Sequence, residues 1–360
     1  LDILKNVLRN IGEAKKGASL FGAFKGVPAL ICGGGASLEA NGALLQEWKD
    51  KALLFSGGAG LNVLCRWGIK PHFAAGIDPN PSLDRFWDQN AFESCFFYQS
   101  RFNAEQLSFW QGERLWIEGS GGFPAEEWLF SSTPFDGGWN VATFLTRIAY
   151  ELGCNPIILC GVDLGSKNKK LYAEGVKETE EESVELNGLY TKKDWIMAAD
   201  WLSRFAETHS DVVWINSSDG LKFRGFSAKN LKEIELPPAG DLEGLIHTEM
   251  QNANLLKQDL GRWDLLRESF NKTSQLCGQL LQVMEKYFPE PPQEKGDYIL
   301  LEVELEAELA YQKFLLPVWN VWKYILQREI EPNVPKAYGI DVHRVLFMMR
   351  VSDEAKQISS

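Results

Sequence analysis

The feature that most constrains the fold is an alternation that begins at Val27. Short apolar runs alternate there with segments of helical spacing, and the runs read "VPALICG", "ALLFSGG", "FAAGID", "SCFFYQS", "RLWIEG", "NPIILCGVD" and "DVVWINS". Runs that are apolar throughout are typical of parallel strands covered on both faces. The alternation therefore predicts an α/β fold: a doubly wound, mostly parallel, Rossmann-like sheet with helices on both faces.

The alternation stops after the segment "LPPAGD" at residues 236–241, and long amphipathic segments follow it. We predict three parts from this change of pattern. Residues 1–26 form a polar lead-in, residues 27–236 form a Rossmann-like nucleotide-binding or transferase domain, and residues 241–360 form an α-helical C-terminal domain.

Charge and composition narrow the classes of partner. The net charge is −12 and the isoelectric point is about 5.0, so no basic stripe is available to displace counterions from a nucleic-acid backbone. The six cysteines lack CxxC spacing, which indicates reduced thiols in a cytoplasmic protein. No signal peptide is recognised, and no apolar stretch approaches the roughly 18 residues of a membrane span. A nucleotide or nucleotide-sugar is the expected ligand, and the C-terminal helices are a candidate surface for a protein acceptor.

In an open parallel sheet, ligands bind beyond the carboxyl ends of the strands, so the residues after each apolar run are the candidate site. Glycines there let a ligand approach the backbone, and helix N-termini attract phosphates. A plain turn or a helix cap explains each stretch equally well when it is taken alone. The candidate nucleotide- and phosphate-binding residues are Gly33, Gly34, Gly35, Ser37, Gly57, Asn62, Gly137, Gly138 and Asn140.

Two carboxylates also end predicted strands. Asp78 and Asp163 are candidates for catalysis, and together they could hold Mg²⁺ on a diphosphate or divide metal and hydroxyl binding between them. Asp78 could instead cap the next segment. None of the four histidines is an obvious general base by its position in the pattern.

These stretches, in this order, resemble a family that joins the motility associated factor glycosyltransferases with the archaeal 6-hydroxymethylpterin diphosphokinases. The resemblance covers about residues 27–226. It rests on "ICGGGASL", "RWGIKPHFAAGIDPN", "GGWNVATFLTRIAYELGCNPIILCGVDLG", "LYAEGV" and "VVWINSSDGLKFRGF". Three positions depart from the family pattern: Ala36 stands for a proline, Val162 for a glutamine and Tyr172 for a histidine.

The resemblance implies a transferase that acts on a nucleotide-activated group. In the glycosyltransferase interpretation, a CMP-activated nonulosonic sugar passes to a hydroxyl acceptor, and Asp163 or Tyr172 takes the hydroxyl proton. In the alternative, a Mg²⁺-dependent diphosphokinase uses Asp78 and Asp163 to hold Mg²⁺ on ATP. A third possibility is an inactive nucleotide-binding interaction module, because Tyr172 replaces the family histidine. We favour glycosyltransfer, since few basic residues lie near the strand ends to neutralise a triphosphate.

Overall fold

A computed structural model describes residues 2–11, 15–81, 92–120, 124–130, 134–176, 183–253, 255, 261–288, 290, 292–329 and 336–358. The strands in these residues are β1 (Lys15–Lys16), β2 (Ala29–Cys32), β3 (Leu53–Gly57), β4 (Phe73–Gly76), β5 (Cys95–Tyr98), β6 (Arg114–Trp116), β7 (Ile157–Cys160), β8 (Val184–Leu186), β9 (Leu189–Thr191), β10 (Trp214–Asn216) and β11 (Ser227–Ala228).

The helices alternate with these strands and then continue alone. They are α1 (Asp2–Ile11), α2 (Gly42–Trp48), α3 (Ala59–Arg66), α4 (Ala104–Ser108), α5 (Pro124–Phe130), α6 (Val141–Glu151), α7 (Lys193–Thr208), α8 (Leu242–Asn252), α9 (Gly261–Tyr287), α10 (Gly296–Ala307), α11 (Leu316–Glu329) and α12 (Lys336–Ile358). A 3₁₀ segment, Ala36–Asn41, precedes α2, and a π-helical turn, Tyr311–Leu315, leads into α11.

The main sheet has nine strands among the described residues, in the order β1-β6-β5-β4-β3-β2-β7-β10-β11. Every neighbouring pair in it is parallel, while β8 and β9 form a separate antiparallel hairpin. All seven apolar runs predicted as strands are strands of this sheet. The predicted doubly wound, mostly parallel fold with a helical C-terminal region is confirmed.

Helices cover both faces of the sheet because consecutive side chains of a strand point to opposite sides. On one face, Ile31 of β2 belongs to a core that contains Phe144 of α6 and Leu202 of α7. On the other face, Leu30 belongs to a second core with Leu45 of α2. Both faces of a central strand are thus removed from water, which explains why its sequence is apolar without alternation.

The chain divides into two compact units whose boundaries differ from the predicted ones. A helical unit comprises Leu1–Gly12, Gly122–Pro134 and Asp259–Ser360, and a sheet unit comprises Glu13–Gly121 and Phe135–Gln258. The core contacts explain the difference. Val7 of α1 and Leu129 of α5 belong to the core of the helical unit, whereas Phe24 and Ile246 of α8 belong to the core of the sheet unit.

Candidate functional site

The strand order reverses at β2, and this reversal positions the candidate site. The strands β3 to β6 lie on one side of β2, and β7, β10 and β11 lie on the other. Crossovers that leave two neighbouring strands in opposite directions open a crevice at their carboxyl ends, where ligands bind in folds of this class. Gly33 follows β2 and Gly161 follows β7, so the two glycine-containing loops border this crevice.

The two loops are joined directly by main-chain hydrogen bonds. The Gly33 N–H donates to the carbonyl of Cys160, and the Gly35 N–H donates to the carbonyl of Gly161, each at 2.8 Å. The parallel ladder between β2 and β7 therefore continues beyond the strands into the loops. Such continuous pairing holds the floor of the crevice rigid, which is what preorganised binding of an anion requires.

Each glycine of the first loop is explained by a close approach of neighbouring atoms. A Cβ atom added at Gly33 would lie 2.4 Å from the carbonyl oxygen of Gly161, and one at Gly34 would lie 2.5 Å from the Cβ of Ala59. A Cβ at Gly35 would lie 2.5 Å from a carboxylate oxygen of Asp163. Packing within the protein thus requires all three glycines, whatever the ligand.

Asp163 is held beneath this loop by Ser37. The Ser37 N–H donates to Oδ2 of Asp163 at 2.8 Å, and the Ser37 hydroxyl donates to Oδ1. The carboxylate is only 5% exposed, and its burial raises the pKa of Asp163 above the usual value of 3.8, although the bonds from Ser37 act in the opposite direction. A raised pKa makes the Asp163 carboxylate a better proton acceptor than an ordinary aspartate.

Asn140, predicted as a ligand contact, caps α6. Its side-chain oxygen accepts from the Thr143 N–H at 3.0 Å, and the Asn140 N–H donates to the Thr143 hydroxyl at 3.0 Å, which completes a capping box. The preceding glycines serve the same turn: Gly138 has φ of +72°, and a Cβ at Gly137 would lie 2.7 Å from the ring of Phe144. The helix N-terminus is thereby fixed at the crevice.

A cavity of about 550 Å³ occupies the crevice, a size suited to a small ligand. Eight of the sequence-predicted site residues line it: Gly33, Gly34, Gly35, Gly57, Asp78, Asn140, Asp163 and Tyr172. The predicted residues that do not line it are Ser37, Asn62, Gly137 and Gly138. Ser37 turns to Asp163, Asn62 lies inside α3, and the two glycines pack against α6.

The sequence did not single out two of the further residues that line this cavity, Lys192 and Trp195. Arg101 lines it as well, and Lys192 is only 4% exposed. The ammonium of Lys192 lies 5.6 Å from the ring centre of Tyr172 and 5.3 Å from that of Trp195. The sequence signal was the lysine pair at the start of the helix that follows a hairpin, but this pattern is common on surfaces.

Asp78 differs from Asp163 in its surroundings. It is exposed at the cavity wall, and its Oδ1 accepts from the Asn80 N–H at 2.9 Å in a local turn. Two carboxylates that face one cavity fit Mg²⁺ when phosphate oxygens complete the coordination. Among the described residues, no three histidine, cysteine or carboxylate side chains are grouped to hold a metal ion by themselves. Any Mg²⁺ held by Asp78 and Asp163 would therefore depend on the ligand.

Comparison with known proteins gives a family match and a match to a solved structure. The sequence model of the family described as "6-hydroxymethylpterin diphosphokinase MptE-like" matches residues 5–169. The resemblance to this family is confirmed. The MptE-like region contains β1 to β7 with the two glycine loops, Asp78 and Asp163. No curated protein matches the chain.

A solved structure extends the likeness beyond the MptE-like region. The structure of the MAf glycosyltransferase from Magnetospirillum magneticum AMB-1 matches 99% of this chain with a TM-score of 0.60 and 15% sequence identity. The chain spans 60% of the length of that protein. At this identity the match shows a shared fold. Among the described residues, none of the helices combines the length and the apolar character that a membrane crossing needs.

Proposed function

We propose that the protein is a glycosyltransferase-like transferase that binds a nucleotide-activated sugar at the β2–β7 crevice and passes the sugar to a hydroxyl acceptor. The observation that carries this proposal is the joint lining of one cavity by the Gly33–Gly35 loop, the capped N-terminus of α6 and the buried Lys192. The loop lets a ligand approach the backbone closely, and the helix dipole of α6 and the ammonium of Lys192 favour a phosphate. The fold shared with the MAf glycosyltransferase supports the reaction class.

The charge of the cavity favours a donor with few negative groups. Its positively charged side chains, among the described lining residues, are Arg101 and Lys192. Asp78, Asp163 and Asp194 line the same cavity and repel a highly charged donor. A CMP-activated nonulosonic acid carries one phosphate charge and one carboxylate, which is less negative charge than a nucleoside triphosphate carries. We therefore propose this donor class. Trp139, which is 50% exposed at the cavity wall, offers an aromatic face for the base.

The chemistry then follows from the geometry. The bond between the anomeric carbon and the phosphate oxygen breaks, and the electron pair leaves with the nucleotide. Lys192 and the N–H groups at the start of α6 stabilise the charge that develops on that phosphate. The acceptor hydroxyl attacks the anomeric carbon and loses its proton to a carboxylate, for which Asp163 has the raised pKa and the position. Asp78 and Tyr172 also line the cavity and can orient the transferred sugar.

A second candidate is a Mg²⁺-dependent diphosphokinase that acts on a pterin alcohol. The match of residues 5–169 to the MptE-like family favours it. In this alternative, Asp78 and Asp163 would hold Mg²⁺ on the phosphates of ATP.

Calorimetric titration separates the two candidates. We expect CMP to bind without Mg²⁺, and a CMP-activated nonulosonic acid to be slowly hydrolysed when water replaces the acceptor. Binding of ATP that requires Mg²⁺, with no binding of CMP, would establish the diphosphokinase instead. If CMP binds but the CMP-sugar is not turned over with any acceptor, the protein is an inactive nucleotide-binding module.

A further inference from the structure

A second cavity lies on the same edge of the sheet, beside the first. Its volume is about 1190 Å³, and its walls come from the loop after β7, the β8–β9 hairpin, α7 and residues 219–224. Of the described residues, Asp163 alone lines both cavities. A transferase needs two substrates whose reacting atoms come together, and Asp163 borders both of these spaces.

The lining of the second cavity combines apolar and polar groups. Leu189, Ile196 and Leu221 contribute apolar surface, and Ser166, Asn168 and Asp219 contribute hydroxyl, amide and carboxylate groups. Such groups pair with the closely spaced hydroxyls of a saccharide, whose donors and acceptors alternate around the ring. The volume exceeds that of ordinary small-ligand pockets, so it admits more than one sugar ring.

Two cations in this cavity are available to a ligand. Lys167 and Lys222 are exposed at its wall, and within the described part of the chain neither side chain forms an ion pair. Arg224, in contrast, is engaged by Asp200 and Glu207.

Four carboxylates also line this cavity: Glu39 is paired with Lys170, Asp200 with Arg204 and Arg224, and Asp163 accepts hydrogen bonds from Ser37. Asp219 is the remaining acidic neighbour of Lys167 and Lys222, so these two lysines can still bind an acidic group on the ligand.

We propose that the second cavity binds an acidic saccharide as the acceptor, with Asp163 between acceptor and donor. This inference rests on the proposed function. An acceptor hydroxyl oxygen forms the new bond to the anomeric carbon of the donor, its proton passes to the Asp163 carboxylate, and the nucleotide leaves with the electron pair of the broken bond. Lys167 and Lys222 hold the acidic group of the acceptor and take no part in bond breaking.

The test is a titration of the full chain with 3′-sialyllactose, an acidic trisaccharide, with uncharged lactose for comparison. We expect 3′-sialyllactose to bind more tightly than lactose, and the substitution Lys222→Glu to weaken its binding about fivefold or more, because an attraction becomes a repulsion. Lys222→Arg should retain binding. Lys232→Glu is the matched control, since Lys232 is exposed in the same unit but lies outside the cavity.

CMP titrations keep this inference distinct from the proposed function. We expect the affinity for CMP to be equal in the wild type and in Lys222→Glu, and saturating CMP to leave saccharide binding in place. Three outcomes would overturn the second-cavity inference. In the first, Lys232→Glu weakens saccharide binding as much as Lys222→Glu does, and in the second, CMP and the saccharide compete for binding. The third outcome is that a serine-containing peptide binds in place of the saccharide. A failure of CMP to bind would overturn the proposed function, and Lys222-dependent binding of the saccharide would still stand as a property of this cavity.

Discussion

Ser37 donates two hydrogen bonds to Asp163, one from its backbone N–H and one from its hydroxyl, and so joins the loop after β2 to the loop after β7. The two residues are 126 positions apart in the chain. Since β2 and β7 flank the reversal of strand order, this contact joins the two loops that border the crevice. It orients the carboxylate, and the burial that accompanies it raises the pKa of Asp163.

The first prediction concerns Asp163→Asn. The asparagine oxygen can still accept from the Ser37 N–H, and the Ser37 hydroxyl can rotate to accept from the new amide, so we expect the fold to persist. Loss of the proton acceptor should reduce turnover of the sugar donor about 100-fold or more. Donor turnover and circular dichroism are the measurements. The control is Ser37→Ala, which removes the hydrogen bond from the Ser37 hydroxyl but keeps the Asp163 carboxylate, and it should reduce turnover much less. Normal turnover in Asp163→Asn would show that Asp163 takes no part in the mechanism.

The second prediction concerns the phosphate contact of Lys192. Lys192→Gln should weaken the binding of CMP about tenfold, because a hydrogen bond to a charged group contributes roughly 1.5–3 kcal/mol. The binding of cytidine, which has no phosphate, should hardly change. The neighbouring exposed Lys193 provides the matched control, and Lys193→Gln should behave like the wild type. Calorimetry with both ligands measures the difference, and an equal loss for CMP and cytidine would contradict the phosphate contact.

Gly34 allows a prediction about the loop itself. In Gly34→Ala the new Cβ would lie 2.5 Å from the Cβ of Ala59 and 2.9 Å from backbone atoms of Ala59 and Gly60. The loop must shift, so we expect a loss of about 1–3 kcal/mol in the free energy of unfolding, together with weaker CMP binding.

Gly42→Ala is the control for that experiment. A Cβ at Gly42, the first residue of α2, would meet the ring of Trp67 at an ordinary 3.4 Å. Alanine at a helical position should leave stability unchanged or raise it by about 0.5–1 kcal/mol. Urea unfolding of the two variants measures both effects. If Gly34→Ala and the wild type have the same free energy of unfolding, the loop can shift to accommodate the new Cβ without loss of stability.

The sequence predicted the seven central strands because each is buried on both faces and is therefore apolar throughout. It also predicted the sheet edge where the site lies, since the topology of parallel strands determines that edge. The roles of single residues were harder to predict. Asn140 and Gly138 match a ligand-binding pattern, yet the capping box of α6 accounts for both.

Other features depended on contacts between distant residues. Lys192 carries no local sign of burial, because the cavity around it is formed by residues from several loops, including Tyr172 and Arg101. The division into two units also depends on contacts between distant residues. Leu129 lies among sheet elements in the sequence but packs in the helical core with residues such as Phe314, which follow it by more than a hundred positions.

The last prediction concerns the dependence of stability on pH. His72 lies just before β4, and its Nδ1 accepts from the Leu54 N–H at 2.9 Å, an arrangement that requires the neutral ring. Burial lowers the pKa of His72 from 6.5 to about 4, although Glu243 acts in the opposite direction. In the unfolded chain the ring takes up a proton below pH 6.5, whereas in the folded chain it does so only near pH 4. The folded state therefore loses stability as the pH falls through this window, by about 3 kcal/mol in total.

His72→Asn tests this linkage, because an asparagine oxygen can accept the same N–H and does not titrate. Urea unfolding at intervals between pH 7 and pH 4 should show a shallower fall in the free energy of unfolding for His72→Asn than for the wild type. His247→Asn, at an exposed position on α8, is the control and should keep the wild-type slope. If His72→Asn and the wild type lose stability in parallel, the neutral His72 ring is not the source of the pH dependence.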